Sequence, residues 1–167
     1  MDIMSAVGRV FPEALRDTVF LRLFALWNVP LIAFVRPRIL EVSSESLKML
    51  IPLRRRTKNH LGSMYFGSLM IGADVAAGYY AAKLIFQSRE KIDFVFKSSE
   101  GRFLKRPTAD VVFICNQGQD IQRLVDRAIA TGERVDTELT VFASVPSLSP
   151  EVVAEMTMVL SLKKRKN

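Results

Sequence analysis

The sequence predicts an α+β protein in which an antiparallel β-sheet wraps around one long central helix. Two observations lead to this prediction. Strand-like segments occur on both sides of a single long helical segment, and there are too few helices to connect parallel strands. The 167 residues are 49% apolar and 25% charged, which is typical of one globular domain with its own core.

Residues 1–37 are predicted to form an N-terminal helical extension of this domain. Apolar side chains recur at the helical period between Pro12 and Trp27, in a stripe wide enough to dock on another surface. Its members are Leu15, Val19, Phe20, Leu23, Phe24 and Trp27. Pro30 is then expected to break or redirect the helix.

Two adjacent strands are predicted before the central helix, Arg38–Val42 and Ser46–Ile51. The turn-like Ser43-Ser44-Glu45 separates them, and Pro52 ends the second strand. The central helix is expected from about Met64 to Phe86, with Ser63 as its N-terminal cap.

Small residues are unusually frequent in the central helix. They are Gly67, Ser68, Gly72, Ala73, Ala76, Ala77, Gly78, Ala81 and Ala82. A glycine costs roughly 1 kcal/mol relative to alanine inside a helix. These glycines therefore indicate that another backbone comes close to the helix.

More strands and one extra helix are predicted after the central helix. Strand patterns occur at residues 92–97, Arg102–Lys105 and Val111–Cys115. The extra helix fits Asp120–Thr131, and Gly132 provides a C-terminal stop. Two long strands close the chain, and their predicted inward residues are Val135, Leu139, Val141, Ala143 and Val145, then Val152, Ala154, Met156, Met158, Leu160 and Leu162.

The scarcity of cysteine and histidine excludes several kinds of site. Cys115 is the single cysteine and His60 the single histidine, so an internal disulfide, a multi-cysteine metal site and a two-histidine metal site are excluded. Cys115 lies in an apolar run and is expected to be an inert core residue. A serine triad would depend on His60 alone, which argues against a generic triad hydrolase.

We expect a cytoplasmic protein without a membrane span. Asp2 and Glu13 lie where a secretory signal would be basic, and no cleavage pattern follows them. The most membrane-like run, Val19–Val35, is short for a spanning helix and contains Arg22.

The formal net charge of +7 arises largely from Arg54–Lys58 and from a basic tail at residues 163–167. Basic clusters attract polyanions, but their sign alone does not distinguish nucleic acid, acidic lipid and the phosphates of coenzyme A. Ordinary solvated surface is the fourth interpretation.

The most specific pattern is Asn59-His60-Leu61-Gly62-Ser63-Met64-Tyr65-Phe66-Gly67, followed seven residues later by Asp74. It resembles the hot-dog-fold thioesterases of the phenylacetyl-CoA type. Its residue order is also similar to that of an uncharacterised thioesterase-like branch of that superfamily. Asn59, Gly62, Gly67 and Asp74 match the spacing of the family pattern. The chain departs from it where the family has His-Gly-Gly and this sequence has Tyr65-Phe66-Gly67.

The resemblance implies a hot-dog fold and roles for individual residues. Backbone N–H groups of Gly67 and Phe66 at a helix start would stabilise the charge that develops on a thioester carbonyl. Asp74 would activate water or attack directly, facing the helix start of a partner subunit. Asn59 would orient water or hold the loop, while Tyr65 would contribute its hydroxyl or form a pocket wall.

The function implied by the resemblance is an acyl-CoA thioesterase that acts as a homodimer or a dimer of dimers. Phe66 and Arg106 are the candidate substrate-binding residues, with Lys105 and Arg54–Lys58 as alternative contacts for the phosphates. No metal is expected, and coenzyme A enters only as part of the substrate. A non-catalytic hot-dog module that binds acyl-CoA, a lipid or a protein is the alternative. Nucleic-acid binding is disfavoured because basic and aromatic residues are not interleaved.

Overall fold

The computed structural model describes residues 12–165. In chain order, the helices and strands are α1 (Glu13–Asn28), α2 (Pro30–Phe34), β1 (Arg38–Val42), β2 (Leu47–Ile51), α3 (Phe66–Ser88), β3 (Ile92–Phe103), β4 (Val111–Cys115), α4 (Gly118–Thr131), β5 (Val135–Val145) and β6 (Ser149–Lys164).

The six strands form one antiparallel sheet in the order β1-β2-β4-β5-β6-β3. The long helix α3 packs against the sheet, and its buried positions include Leu69, Ala73, Ala76 and Ala77. This arrangement confirms the predicted sheet wrapped around a central helix. It leaves β1 and β3 as the two edge strands.

The glycines of α3 make room for aromatic rings of the sheet. A Cβ atom on Gly72 would lie 2.2 Å from Cζ of Phe113, and one on Gly78 would lie 2.8 Å from Cζ of Phe94. The sequence predicted a close backbone at these positions. The structure instead brings side chains there, because the strands present phenylalanines to the helix.

α1 is attached to both β1 and α3 along one narrow stripe. Thr18 Oγ1 accepts a hydrogen bond from the Ile39 N–H at 2.9 Å. The Tyr79 hydroxyl donates to Asp17 Oδ1 at 2.8 Å, and Lys83 pairs with Asp17 Oδ2 at 3.1 Å. The predicted N-terminal helix is therefore attached to the fold, and residues 1–11 of the predicted extension lie outside the described residues.

Two details of the strands differ from the sequence prediction. Arg102 lies within β3, which runs unbroken from Ile92 to Phe103 instead of ending before a separate strand. Val152 is exposed and Val153 is buried, because the pairing of β5 with β6 shifts register on either side of Ser144. Each register shift changes the face that a residue occupies.

The basic tail also begins later than predicted. Lys163 and Lys164 lie in β6 and pair with Asp93 and Ile92 of β3. Residues 166–167 lie outside the described residues.

The predicted C-terminal stop of the extra helix agrees with the sequence. α4 ends at Gly132, whose φ of 69° is the left-handed conformation expected of a C-terminal stop. Among the described helices, only α3 is long and apolar enough in composition to cross a membrane, and half of its most apolar stretch is buried inside the fold. A core helix has these same properties.

Candidate functional site

The loop before α3 is organised by the side chain of Asn59. Its Oδ1 accepts N–H hydrogen bonds from Leu61 at 2.9 Å and Ser63 at 3.2 Å, and its Nδ2 donates to Ser63 Oγ at 3.1 Å. Gly62 has a φ of 78°, a conformation that favours glycine. Because both ends of the Asn59 amide are engaged in the loop, its geometry supports the loop-holding role over water orientation.

Two neighbouring segments fix the position of the helix start. The Tyr65 N–H donates to the carbonyl of Thr57 at 2.8 Å, and the Met64 N–H donates to the carbonyl of Pro107 at 2.8 Å. Thr57 is fully buried. The Arg54–Lys58 segment and the Arg106-Pro107 segment therefore flank the start of α3.

The predicted cap of the central helix is wrong. Ser63 is buried, its hydroxyl is bonded to Asn59, and the helix begins three residues later at Phe66 with Tyr65 as the residue before it. No side chain caps the helix start. The cause is the side chain of Asn59, which uses the serine hydroxyl inside the loop.

Two backbone donors are available at the start of α3. The N–H groups of Ser68 and Leu69 both donate to the carbonyl of Tyr65, at 2.9 and 3.2 Å. Within residues 12–165, the N–H groups of Phe66 and Gly67 have no hydrogen-bond partner. Free donors at the positive end of a helix dipole are suited to binding an oxyanion.

An aromatic cluster lies beside these donors. The rings of Tyr65 and Phe66 are 4.8 Å apart, and that of Phe103 lies 6.1 Å from Phe66. The sequence did not identify Phe103 as part of the site. The only available signal was an apolar residue in a predicted strand, because the pairing that brings the end of β3 to the helix start is tertiary.

Gly67 lies directly under the Tyr65 ring. A Cβ atom on Gly67 would be 2.5 Å from Cε1 of Tyr65. Tyr65 therefore explains the glycine at this position without any substrate, and its ring forms a wall over the helix start.

Asp74 lies on the same face of α3 as Gly67, two turns further along the helix. It is partly buried, and burial raises its pKa to about 6 from an ordinary value near 3.8. Within the described residues, its carboxylate has no hydrogen bond or ion pair. Seven residues separate Gly67 from Asp74, which corresponds to about 10 Å along the helix.

This separation has a geometric consequence. The free N–H groups and the carboxylate of one chain are too far apart to act on the same carbonyl, since catalytic groups must lie within about 3 Å of the atoms they serve. Within one chain, these two groups therefore do not meet at a single carbonyl.

Arg106, the other predicted substrate-binding residue, lies at the surface. Arg106 is exposed, next to Pro107, and has no carboxylate partner within the described chain. His60 is exposed in the loop, whereas Cys115 is buried and burial raises its pKa. Among residues 12–165, no three histidine, cysteine or acidic side chains are grouped to hold a metal ion.

Comparison with known proteins identifies the family. The family model described as "Domain of unknown function (DUF4442)" matches residues 17–162, and the chain belongs to that family. No curated protein matches the chain.

Solved structures with the same fold include several that are named as thioesterases. A protein of unknown function from Pseudomonas aeruginosa, described as a probable thioesterase, has a TM-score of 0.70 and 20% identity, and the match covers 89% of this chain and 96% of that one. A protein of unknown function from Chlorobaculum tepidum has a TM-score of 0.74 and 14% identity, with 92% and 100% covered. A thioesterase from Haemophilus influenzae has a TM-score of 0.61 and 12% identity, with 85% and 88% covered. The fold is the hot-dog fold that these solved structures share.

Proposed function

We propose that the protein is an acyl-CoA thioesterase whose site is completed by a second copy of the chain. The observation that carries the proposal is Asp74: a partly buried carboxyl group without a partner in the described chain, with its pKa raised to about 6. The proposal is supported by the free N–H groups of Phe66 and Gly67 on the same helix. The names of similar folds support the same class of reaction.

In the proposed reaction, the thioester carbonyl binds at the N–H groups of Phe66 and Gly67. Asp74 of the other subunit accepts a proton from a water molecule, and the water oxygen attacks the carbonyl carbon. The tetrahedral oxyanion collapses, the carbon–sulfur bond breaks and the carboxylic acid forms, while the protonated Asp74 gives its proton to the coenzyme A thiolate, which leaves as the thiol. A pKa near 6 leaves Asp74 largely ionised yet still basic near neutral pH, as a general base requires.

The edge strand β3 supports assembly into a homodimer. β3 has 12 residues and pairs only with β6 among the described strands. An unpaired edge of this length, with Val95 exposed, is suited to pairing with another strand. Pairing β3 with its copy across a two-fold axis would join the two sheets and bring a second α3 alongside the first.

Arg106 is the proposed contact for the phosphates of coenzyme A. Lys105 forms an ion pair with Glu151, and Arg54 pairs with Asp110 at 3.4 Å. Arg106 has no such partner within residues 12–165. It adjoins Pro107, whose carbonyl accepts a hydrogen bond from the N–H of Met64. Phe66 and Phe103 would form the apolar wall for the acyl chain. We propose a cytoplasmic location, where acyl-CoA is available.

The test is hydrolysis of a panel of acyl-CoA esters, measured by release of the free thiol. Asp74→Asn is expected to lower kcat/KM by about 10²- to 10⁴-fold, the usual contribution of a general base, while acyl-CoA binding is retained. For the native protein, kcat/KM should rise with pH through about 6 and then level off. Asp126→Asn, on the exposed face of α4, is the matched control and should leave activity unchanged.

A non-catalytic acyl-CoA-binding module is the second candidate, and the Tyr65 ring favours it. That ring covers Gly67, which occupies the position of the last glycine in the His-Gly-Gly element of the family pattern. Tight acyl-CoA binding without turnover by the native protein would establish this alternative. Tyr65→Phe separates the two roles of Tyr65, since it removes only the hydroxyl and should preserve activity if the ring is a wall.

A further inference from the structure

α1 leaves most of its large apolar side chains exposed. Its apolar residues lie all around the helix, an arrangement expected of a helix that is buried on every side. Only one stripe is buried, formed by Asp17, Thr18, Leu21 and Ala25. Most of the larger apolar side chains of α1 and α2 are exposed: Trp27 is 83% exposed, Leu31 61%, Leu26 58%, Leu23 56%, Phe34 51% and Phe24 48%.

Ring contacts connect the exposed side of α1 with the end of α3. The rings of Phe20 and Phe24 are 6.4 Å apart, and the ring of Phe86 lies 5.6 Å from that of Phe20. Contiguous exposed apolar areas of this kind usually mark an interaction site. We call this surface, from α1 and α2 to Phe86, the apolar face.

Arginines border the apolar face. Arg56 lies over the Phe34 ring with 5.1 Å between its Cζ atom and the ring centre, and it donates to the Phe34 carbonyl at 3.1 Å. Arg22 donates to the carbonyls of Pro37 and Arg36, at 2.9 and 3.2 Å. Arg36, Arg54, Arg55 and Arg56 line a groove of about 650 Å³ with Phe34, Val35 and Pro52.

Most arginines in this region form no ion pair with an acidic side chain. Within the described chain, no ion pair involves Arg16, Arg22, Arg36, Arg38, Arg55 or Arg56. The pKa of Arg22 is lowered by burial and by the nearby positive charges of Arg38 and Arg36. The border of the apolar face is therefore an uncompensated positive region that an anionic surface would neutralise.

We propose that the apolar face and its arginine border dock the protein on the surface of a lipid bilayer that contains anionic lipids. The outer side chains of α1 and α2 enter the boundary between headgroups and acyl chains, while the arginines contact lipid phosphates. α1 has 16 residues and is about 24 Å long, too short to span a bilayer, and its buried stripe holds it on the fold. It therefore lies flat in the interface, with its buried stripe on the fold and its outer apolar side chains towards the lipid.

The chemistry of the face favours a bilayer over a protein partner. Tryptophan is enriched at the headgroup level of membranes, and arginines without a carboxylate partner are attracted to the phosphates of anionic lipids. The face also lies at the β1 edge of the sheet, whereas the proposed subunit contact lies at the β3 edge. The docking proposal does not depend on the proposed hydrolysis.

Trp27 provides a direct test because it is the only tryptophan in the chain. The full-length protein is mixed with vesicles of phosphatidylcholine, with or without phosphatidylglycerol. Co-sedimentation and a shift of tryptophan emission to shorter wavelength are expected with phosphatidylglycerol only. Because arginine–lipid attraction is screened by salt, both signals should decline as salt increases.

Variants separate the two parts of the face. Leu23→Ser with Leu31→Ser should weaken vesicle binding by at least about tenfold, since each buried leucine contributes more than 1 kcal/mol. Arg55→Gln with Arg56→Gln should weaken it roughly fivefold per arginine. Leu148→Ser and Arg123→Gln alter an exposed leucine and an exposed arginine elsewhere and should bind like the native protein.

Three results would overturn the docking proposal. The first is the absence of co-sedimentation with phosphatidylglycerol vesicles. The second is a Trp27 already shielded from a soluble quencher before vesicles are added, which would mean that the chain itself covers the face. The third is a smaller oligomer for the Leu23→Ser, Leu31→Ser variant, which would assign the face to contact between copies.

Discussion

α1 and α3 are both apolar helices, yet the fold treats them differently. α3 is built from small residues, and the sheet closes around it until rings such as Phe113 fill the places of missing side chains. α1 carries phenylalanine, leucine and tryptophan, lies at the β1 edge and buries one stripe only. Side-chain size and position in the sheet therefore decide how far a helix is buried, whereas its apolar content alone does not.

The largest effect is expected where α3 and the sheet are closest. Gly72→Ala should lower the free energy of unfolding by about 3 kcal/mol, because the new Cβ would lie 2.2 Å from Cζ of Phe113 and overpacking of a core is costly. This loss would exceed the gain of about 1 kcal/mol from replacing glycine inside a helix. Chemical denaturation measures it.

A second substitution provides the control for that clash. Adding Phe113→Leu to Gly72→Ala should recover part of the lost stability, since the smaller side chain leaves room for the Cβ atom. If the double variant were simply the sum of the two single losses, the contact between these residues would not be the cause.

The next effect concerns Asp74, the partly buried acidic residue of α3. Its folded-state pKa of about 6 lies above the ordinary value of 3.8, so the folded protein binds more protons between these pH values. Stability should therefore fall as pH rises from about 4 to about 6. The full shift corresponds to about 3 kcal/mol, and partial contact with solvent reduces this to about 2 kcal/mol.

Asp74→Asn tests that pH dependence. The variant should be more stable than the native protein at neutral pH and should have a flatter stability profile between about pH 4 and 6. A native profile that was equally flat would show that the carboxyl group is not strained by burial.

A smaller effect is expected at the junction of the two helices. Tyr79→Phe removes the hydroxyl that donates to Asp17 at 2.8 Å, and a lost buried hydrogen bond to a charged group costs about 1 to 2 kcal/mol. Tyr80→Phe alters the neighbouring tyrosine and serves as the control. Equal stability of both variants would mean that Lys83 alone holds Asp17.

The smallest effect is expected on the apolar face. Trp27→Ser should change the free energy of unfolding by less than about 0.5 kcal/mol, as is usual for exposed positions, since the side chain is 83% exposed. Thermal and chemical denaturation without lipid measure it. A loss of several kcal/mol would show that this side chain packs inside the folded protein.

Much of the fold could be predicted from the sequence because its periodic patterns are local. The β1 prediction, Arg38–Val42, is confirmed residue for residue, and the Gly132 stop is confirmed by its backbone conformation. Ser63 and Val152 were assigned incorrectly. The Ser63 hydroxyl is hydrogen-bonded to Asn59 and so does not cap the helix. The register shift between β5 and β6 places Val152 on the exposed face.

The sequence by itself determined the class of fold and the position of the candidate site. Asn59, Gly62 and Gly67 impose the loop and the helix start through hydrogen bonds and conformations that involve near neighbours. These are short-range effects, which residue order specifies.

Only the tertiary structure decided the environment of the site and the fate of α1. The raised pKa of Asp74 results from burial, the Phe103 ring reaches Phe66 through strand pairing, and the arginines around Phe34 come from separate segments. Each depends on distances between residues far apart in the chain. Desolvation, contact and charge density act through space, so residue order alone does not fix them.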